Sequence, residues 1–163
     1  MEILPLAYRK KFIAELAKLH HAEWRHLNPS LTLDGRAEAI AQAAQEEGVP
    51  SIFVAVLGSQ LVGSAALVES DMDTKRELSP WLASVYVKKR FRHQGVATKL
   101  IARCEDEARR SNVGVWYLYT ESASRLYEKL GWRHLERCEY KGVMVDIMYK
   151  QIASTERPPL PQV

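Results

Sequence analysis

The sequence predicts one domain of mixed α/β class, with helices and strands interleaved along most of the chain. Apolar residues recur at helical spacing in some segments and crowd into short apolar or alternating runs in others. Clusters of Gly, Pro, Ser and Asp separate the two kinds of segment. Length sets the number of domains: 163 residues suit a single core, because a chain of this size buries roughly two-thirds of its unfolded surface.

The opening reads as helix, loop, helix. Over residues 8–24, Phe12, Ile13, Leu16, Leu19 and Trp24 return at helical spacing, while Arg9, Lys10, Glu15 and Lys18 fall mostly on other faces. A second helix is expected from Asp34, an N-cap residue type, with Ala37, Ile40, Ala41 and Ala44 on one stripe. Gly48 and Pro50 supply its stop signals.

The pattern then changes to strand. Residues 51–57 are apolar and rich in strand formers, residues 58–60 are turn chemistry, and residues 61–68 pair back as a hairpin. Residues 69–77 are too polar for a strand and read as a loop ending at Ser79-Pro80, after which residues 81–87 form a third strand. Past a glycine-bearing turn, Val96, Ala97, Leu100, Ile101, Cys104 and Ala108 share one helical stripe, so a helix over 97–110 covers one face of a sheet. Residues 113–120 read as a buried strand. Ser122 or Ser124 is expected to cap a short helix that ends where Gly131 adopts a left-handed conformation. Residues 132–140 and 143–149, joined at Lys141-Gly142, form a closing antiparallel hairpin. The domain is expected to occupy residues 1–150, and the proline-rich, polar residues 151–163 to form a disordered tail.

Composition narrows the function classes. A chain with 47% hydrophobic and 26% charged residues reads as soluble and globular rather than disordered or membrane-spanning. The formal charge is only +3 and both signs are interspersed, so neither nucleic acid nor a membrane is an expected partner. The strongest basic run, residues 88–93, suits a cofactor's phosphates as well as a polymer's. Cys104 and Cys138 have no spacing that suggests a disulfide framework or a zinc site, so reduced thiols and no metal are expected. No apolar stretch near the N-terminus is long enough for a signal peptide, and the expected location is the cytoplasm.

The most informative segment is Arg92-His93-Gln94-Gly95-Val96-Ala97, between a strand and a helix. Such a turn sets backbone N–H groups at a helix N-terminus, where the helix dipole also favours an anion. Gly95 and Ala97 carry little or no side chain, so phosphate oxygens can approach the amides, and Arg92 can add charge-assisted contacts. A tight strand-to-helix connection is the other use of such a turn. No Gly-Lys-Ser/Thr follows Gly95, which excludes a Walker-type ATP site.

The segment resembles the signature of the GNAT superfamily of acyl-CoA-dependent N-acetyltransferases, Gln/Arg-x-x-Gly-x-Gly/Ala, matched by Arg92, Gly95 and Ala97. Residues 82–87, Leu-Ala-Ser-Val-Tyr-Val, look like that family's signature strand. Tyr127-Glu128-Lys129-Leu130-Gly131-Trp132 is similar to its late Tyr-x-x-Leu-Gly-Phe/Tyr segment, with Trp in the aromatic place. The order of elements over roughly residues 1–150 also resembles the superfamily. The resemblance implies a mixed, mostly antiparallel central sheet flanked by helices on both faces. It further implies transfer of an acetyl group from acetyl-CoA to a primary amine, on a small molecule or a peptide, by direct attack on the thioester. A non-catalytic acyl-CoA-binding sensor is the alternative.

The same resemblance implies site residues. Main-chain groups of Val85, Tyr86 and Val87 would bind the pantetheine arm and steady the thioester oxygen. Arg92, His93, Gln94, Gly95, Val96, Ala97 and Thr98 would hold the pyrophosphate, with Ser122 and Ser124 as further cofactor contacts or as helix caps. Tyr127 would protonate the departing thiolate, since a phenol with a reference pKa of roughly 10 keeps its proton at neutral pH. It also shares a helical stripe with Ala123, Leu126 and Leu130, as a core aromatic would. Trp24, Glu69, Asp71 and Trp81 are acceptor-site candidates, and Glu69, Asp71, Asp73 and Glu121 are the carboxylates that would act as base or attract a cationic amine. His20, His21 and His26 border the acceptor side and read as packing or exposed residues rather than metal ligands. An exposed edge of the closing hairpin offers a surface for a homodimer.

Overall fold

Successive residues of the strand Ser51–Leu57 serve two different cores. Phe53 and Ala55 pack into one apolar cluster, and Ile52, Val54 and Val56 into another. Side chains alternate across a strand, so both sets are buried only if both faces of the sheet are covered. The computed structural model, which describes residues 1–153, has that arrangement.

In chain order the elements are β1 (Glu2–Pro5), α1 (Ile13–Trp24), α2 (Leu33–Ala43), β2 (Ser51–Leu57), β3 (Gln60–Val68), β4 (Trp81–Val87), α3 (Val96–Arg110), β5 (Val115–Thr120), α4 (Ser124–Lys129), β6 (Arg133–Tyr140) and β7 (Val143–Gln151). The seven strands form one sheet in the order β1-β2-β3-β4-β5-β7-β6, antiparallel except between β4 and β5. Helices α1 and α2 cover one face through Leu16, Ala17 and Ile40; α3 and α4 cover the other through Leu100, Ile101, Cys104 and Tyr127. The expected class, a mixed and mostly antiparallel sheet with helices on both faces, is the fold observed.

Several local expectations differ from it. Strand β1 was not expected: four residues, one of them proline, are too few to show a period, and the strand forms because its residues pair with Phe53 to Val56 of β2 at the sheet edge. Helix α1 begins at Ile13 rather than Tyr8, because residues 6–12 wind as two 3-10 turns on either side of Arg9, whose φ of -140° is not helical. The N-cap of α2 is Thr32, whose Oγ1 accepts the Gly35 amide hydrogen at 3.0 Å, so Asp34 lies inside the first turn. This helix stops at Ala43, short of Gly48. Neither Ser122 nor Ser124 caps α4; Thr120 Oγ1 accepts from the Ala123 amide at 2.9 Å instead.

The tail expected over 151–163 lies outside the described residues from 154 onward. Gln151 still belongs to β7, and Ile152 is buried with its amide bonded to the Gly114 carbonyl at 2.9 Å, so the packed unit extends past residue 150. At the sheet edge, β6 presents Arg133, Glu136, Arg137 and Glu139 to solvent, charges that oppose edge-to-edge pairing. Among the described residues no helix is long and apolar enough to cross a membrane.

Candidate functional site

The parallel pair β4–β5 is joined only at Trp81 and Tyr117, and its ladder stops there. Beyond that point a cleft of about 980 Å³ opens between the two strands. Ser84 and Val85 of β4, Leu118 and Tyr119 of β5, Trp24 of α1 and Tyr127 of α4 line it.

A bulge in β4 shapes the cleft wall. Ser64 pairs with Tyr86 and Ala66 with Ala83, so Ser84 and Val85 together face the single residue between them, Ala65. Ser84 takes a left-handed φ of 52°. Its carbonyl accepts a hydrogen bond from Ser64 Oγ at 2.9 Å, and His20 Nε2 lies 2.8 Å from the same hydroxyl oxygen. A hydroxyl has one proton to give, so the proton in the His20–Ser64 bond sits on Nε2. Burial foremost, and then the charge of Arg36, lower the His20 pKa to about 3, which keeps the ring neutral. Gly63 allows the strands to close here: a Cβ at that position would lie 2.5 Å from the Tyr86 carbonyl oxygen.

The expected phosphate-binding turn ends in an open helix N-terminus. No side chain caps α3, no acidic residue occupies its first turn, and the Lys99 amide is the one that bonds back to the Gly95 carbonyl. The amides of Val96, Ala97 and Thr98 therefore have no intrahelical partner. Gly95 sits at φ 78°, and a Cβ there would meet nothing within 4 Å, so backbone conformation rather than crowding demands glycine and the space above the amides is open. His93 is also left-handed, at φ 61°. Arg92 is partly engaged in the turn itself: its Nε donates to the Val87 carbonyl at 2.8 Å, and its guanidinium lies 5.7 Å from the Tyr86 ring centroid. Gln94 Nε2 donates to the Arg90 carbonyl at 3.3 Å. An open row of amides beside a basic turn suits a diphosphate. The Val87 carbonyl is thus occupied, and of the three expected β4 residues Val85 lines the cleft whereas Tyr86 and Val87 do not.

The remaining expected residues divide. Tyr127 is 7% exposed, packs edge-on against Trp132 at 6.1 Å and also lines the cleft, so the core and cleft readings of this side chain both apply. Burial pushes its phenol up to about 12. Trp24 lines the cleft edge-on to His20, at 5.0 Å, and to Tyr86, at 6.2 Å. Trp81 does not belong to the site: it is fully buried, Nε1 donates to the Leu78 carbonyl at 2.7 Å, and Met72 of the preceding loop packs in the same cluster. Ser122 lines the cleft, whereas Ser124 Oγ donates to Asp146 at 2.7 Å and is engaged there.

Glu69, Asp71, Asp73 and Glu121 all line the cleft, and their surroundings separate them. Asp73 is bound to Lys141 at 3.0 Å, and Glu121 to His26 Nε2 at 2.6 Å. Asp71, half-buried, has its carboxyl pushed up to about 7 by burial. The His26–Glu121 pair joins residues 95 positions apart, a contact no local pattern reports. Tyr119 and Arg36 also line the cleft and had no signal in the sequence. No cluster of three metal-ligating side chains occurs among the described residues.

This fold and cleft are those of an acyltransferase. The chain belongs to the GNAT acetyltransferase family: residues 49–134, from the start of the β2–β3 hairpin through the glycine turn and Tyr127, match the model of the acetyltransferase (GNAT) domain. Among solved structures, an aminoglycoside 6'-N-acetyltransferase complexed with coenzyme A is 19% identical with a TM-score of 0.75, over 97% of this chain and 99% of that one. The aminoglycoside 6'-N-acetyltransferase from Enterococcus faecium is 19% identical with a TM-score of 0.72, over 97% and 99%. The ribosomal-protein-alanine N-acetyltransferase from Brucella melitensis is 20% identical with a TM-score of 0.69, over 86% and 94%. No curated protein matches the sequence. At these identities the likeness is one of fold, and enzymes with quite different acceptors share it about equally.

Proposed function

We propose that this enzyme transfers the acetyl group of acetyl-CoA to a primary amine by direct attack of the amine on the thioester carbonyl. The observation that carries the reading is the uncapped N-terminus of α3, which follows β4 through the basic turn, together with the cleft that opens between β4 and β5 and that Tyr127 lines. The amides of Gly95 to Thr98 hold the pyrophosphate, assisted by the helix dipole and by Arg92, His93 and Gln94. The arm lies along the main chain of β4 at Val85 and Tyr86, with Ser122 at the opposite side.

Asp71 accepts the amine's proton through water, since a carboxyl with a pKa of about 7 is partly ionised at neutral pH and basic enough for the task. The amine nitrogen bonds to the carbonyl carbon as the carbon–sulfur bond breaks, and Tyr127 gives its phenol proton to the departing thiolate. Solvent returns that proton. Glu69 and Trp24 contact the acceptor, which is a small molecule or a peptide. Both cysteines are free thiols, which suits a reducing compartment such as the cytoplasm.

The test is release of free coenzyme A thiol against a panel of amines and peptides, with Tyr127→Phe run alongside. Acceptor-dependent thiol release that drops about 10²-fold or more in Tyr127→Phe is the expected result. Acetyl-CoA uptake without thiol release would instead leave a sensor.

A further inference from the structure

Among the ionisable side chains of the cleft, Arg36 stands apart. It projects from α2 into the cleft wall and is half-buried. Its Nε is fully buried and has no hydrogen-bond partner, and no carboxylate lies within ion-pair distance of its guanidinium among the described residues. The other cations of the cleft are accounted for differently: Lys141 is bound to Asp73, and Arg76 stands exposed at the rim near that pair. Buried guanidinium N–H groups are rarely left unmatched, because the water they lose must be replaced.

We propose that the acceptor bears a carboxylate beside its amine, and that Arg36 binds this carboxylate while the acidic side of the cleft receives the amine. The cleft then reads as two-signed. Asp73 and Glu121 are paired within the protein, which leaves Glu23, Glu69 and Asp71 to attract an ammonium group, and Arg36 to face the opposite charge. A planar guanidinium matches a carboxylate through two parallel hydrogen bonds. A doubly charged phosphate matches it as well, but would meet those three carboxylates at greater cost, so a singly charged carboxylate fits better. Arg36 lines the same cleft as Tyr119 of β5 and Ser84 and Val85 of β4. The acceptor class is thus an amino acid or a compound resembling one, rather than a purely cationic amine.

The inference rests on the acetyl-transfer reading, and the experiment separates the two. Thiol release is measured with a set of amino acids of different side chain, each beside its amide and its decarboxylated amine, for wild type, Arg36→Gln and Arg36→Lys. The acids should exceed their partners that lack the carboxylate in kcat/KM by about tenfold or more in wild type. Arg36→Gln should erase that preference, mainly through KM, while leaving the rate with the decarboxylated amine in place, and Arg36→Lys should restore part of it. Turnover with no preference for the acids, or an equal loss for all three acceptor types in Arg36→Gln, overturns the carboxylate subsite alone. Absence of thiol release with every amine overturns the transfer reading and the subsite together.

Discussion

His20 Nε2 donates to Ser64 Oγ across 2.8 Å, joining α1 to the middle of β3 beneath the β4 bulge. Because the same hydroxyl donates to the left-handed Ser84 at 2.9 Å, the two residues hold the wall along which the thioester arm is proposed to lie.

Ser64→Ala removes the middle of this chain and leaves a buried imidazole N–H and a carbonyl without their partner. Such a loss costs about 1–3 kcal/mol. Denaturant unfolding should show that decrease, and steady-state kinetics should show a fall in kcat larger than any rise in the KM for acetyl-CoA, since the pyrophosphate site on α3 is untouched. A change in stability with unaltered kinetics would assign the chain to folding alone.

The neutral His20 makes stability depend on pH. Its pKa is about 3 in the folded protein against 6.5 for a free imidazole, so between these values the unfolded chain binds the extra proton. Stability therefore falls as pH drops from about 6.5 toward 3. Urea midpoints measured across that window should decline less steeply in His20→Gln, which keeps a donor but does not titrate.

Asp71 has the opposite sign. With its pKa raised to about 7, the folded state binds the extra proton between roughly 3.8 and 7, and stability contributed by this group falls as pH rises through that range. Asp71→Asn should accordingly raise the Tm at pH 7 to 8 while lowering kcat. In wild type the pH–rate profile should have an ascending limb near 7 that this substitution removes. Retention of the limb would transfer the base role to another group.

Gly95→Ala tests the turn. A residue with a Cβ at φ 78° costs about 1–2 kcal/mol in stability, while its methyl group projects into the open space beside the α3 amides. Coenzyme A affinity should therefore fall further than stability alone explains, measured by calorimetry on protein shown to be folded by circular dichroism.

Much of the architecture was legible because it rests on local periodicity. The helical stripe through Leu100, Ile101 and Cys104 and the alternation of Val143, Val145 and Ile147 each follow from one element burying one face, and the continuous apolar runs of β2 and β3 from strands buried on both. What escaped depends on contacts between elements. Strand β1 exists only because β2 offers it an edge, and Thr32 rather than Asp34 starts α2 although both have capping chemistry. Trp81 shows the same limit at the site, since its residue type suits a substrate wall as well as a core, and the loop packed over it decides. The glycine turn was readable because its conformation is set by consecutive residues. His26 with Glu121, and Arg36 on the cleft wall, were not, because α1, α2 and β5 meet only in the folded chain.

The most direct measurement compares coenzyme A with pantetheine, which has the thiol arm but lacks the pyrophosphate, by isothermal titration of the folded protein. If the amides at the start of α3 supply the main hold, coenzyme A binds and pantetheine binds about a hundredfold more weakly or not at all. Equal affinity for the two, or no heat with coenzyme A, would contradict the assignment of that helix end as the cofactor's anchor.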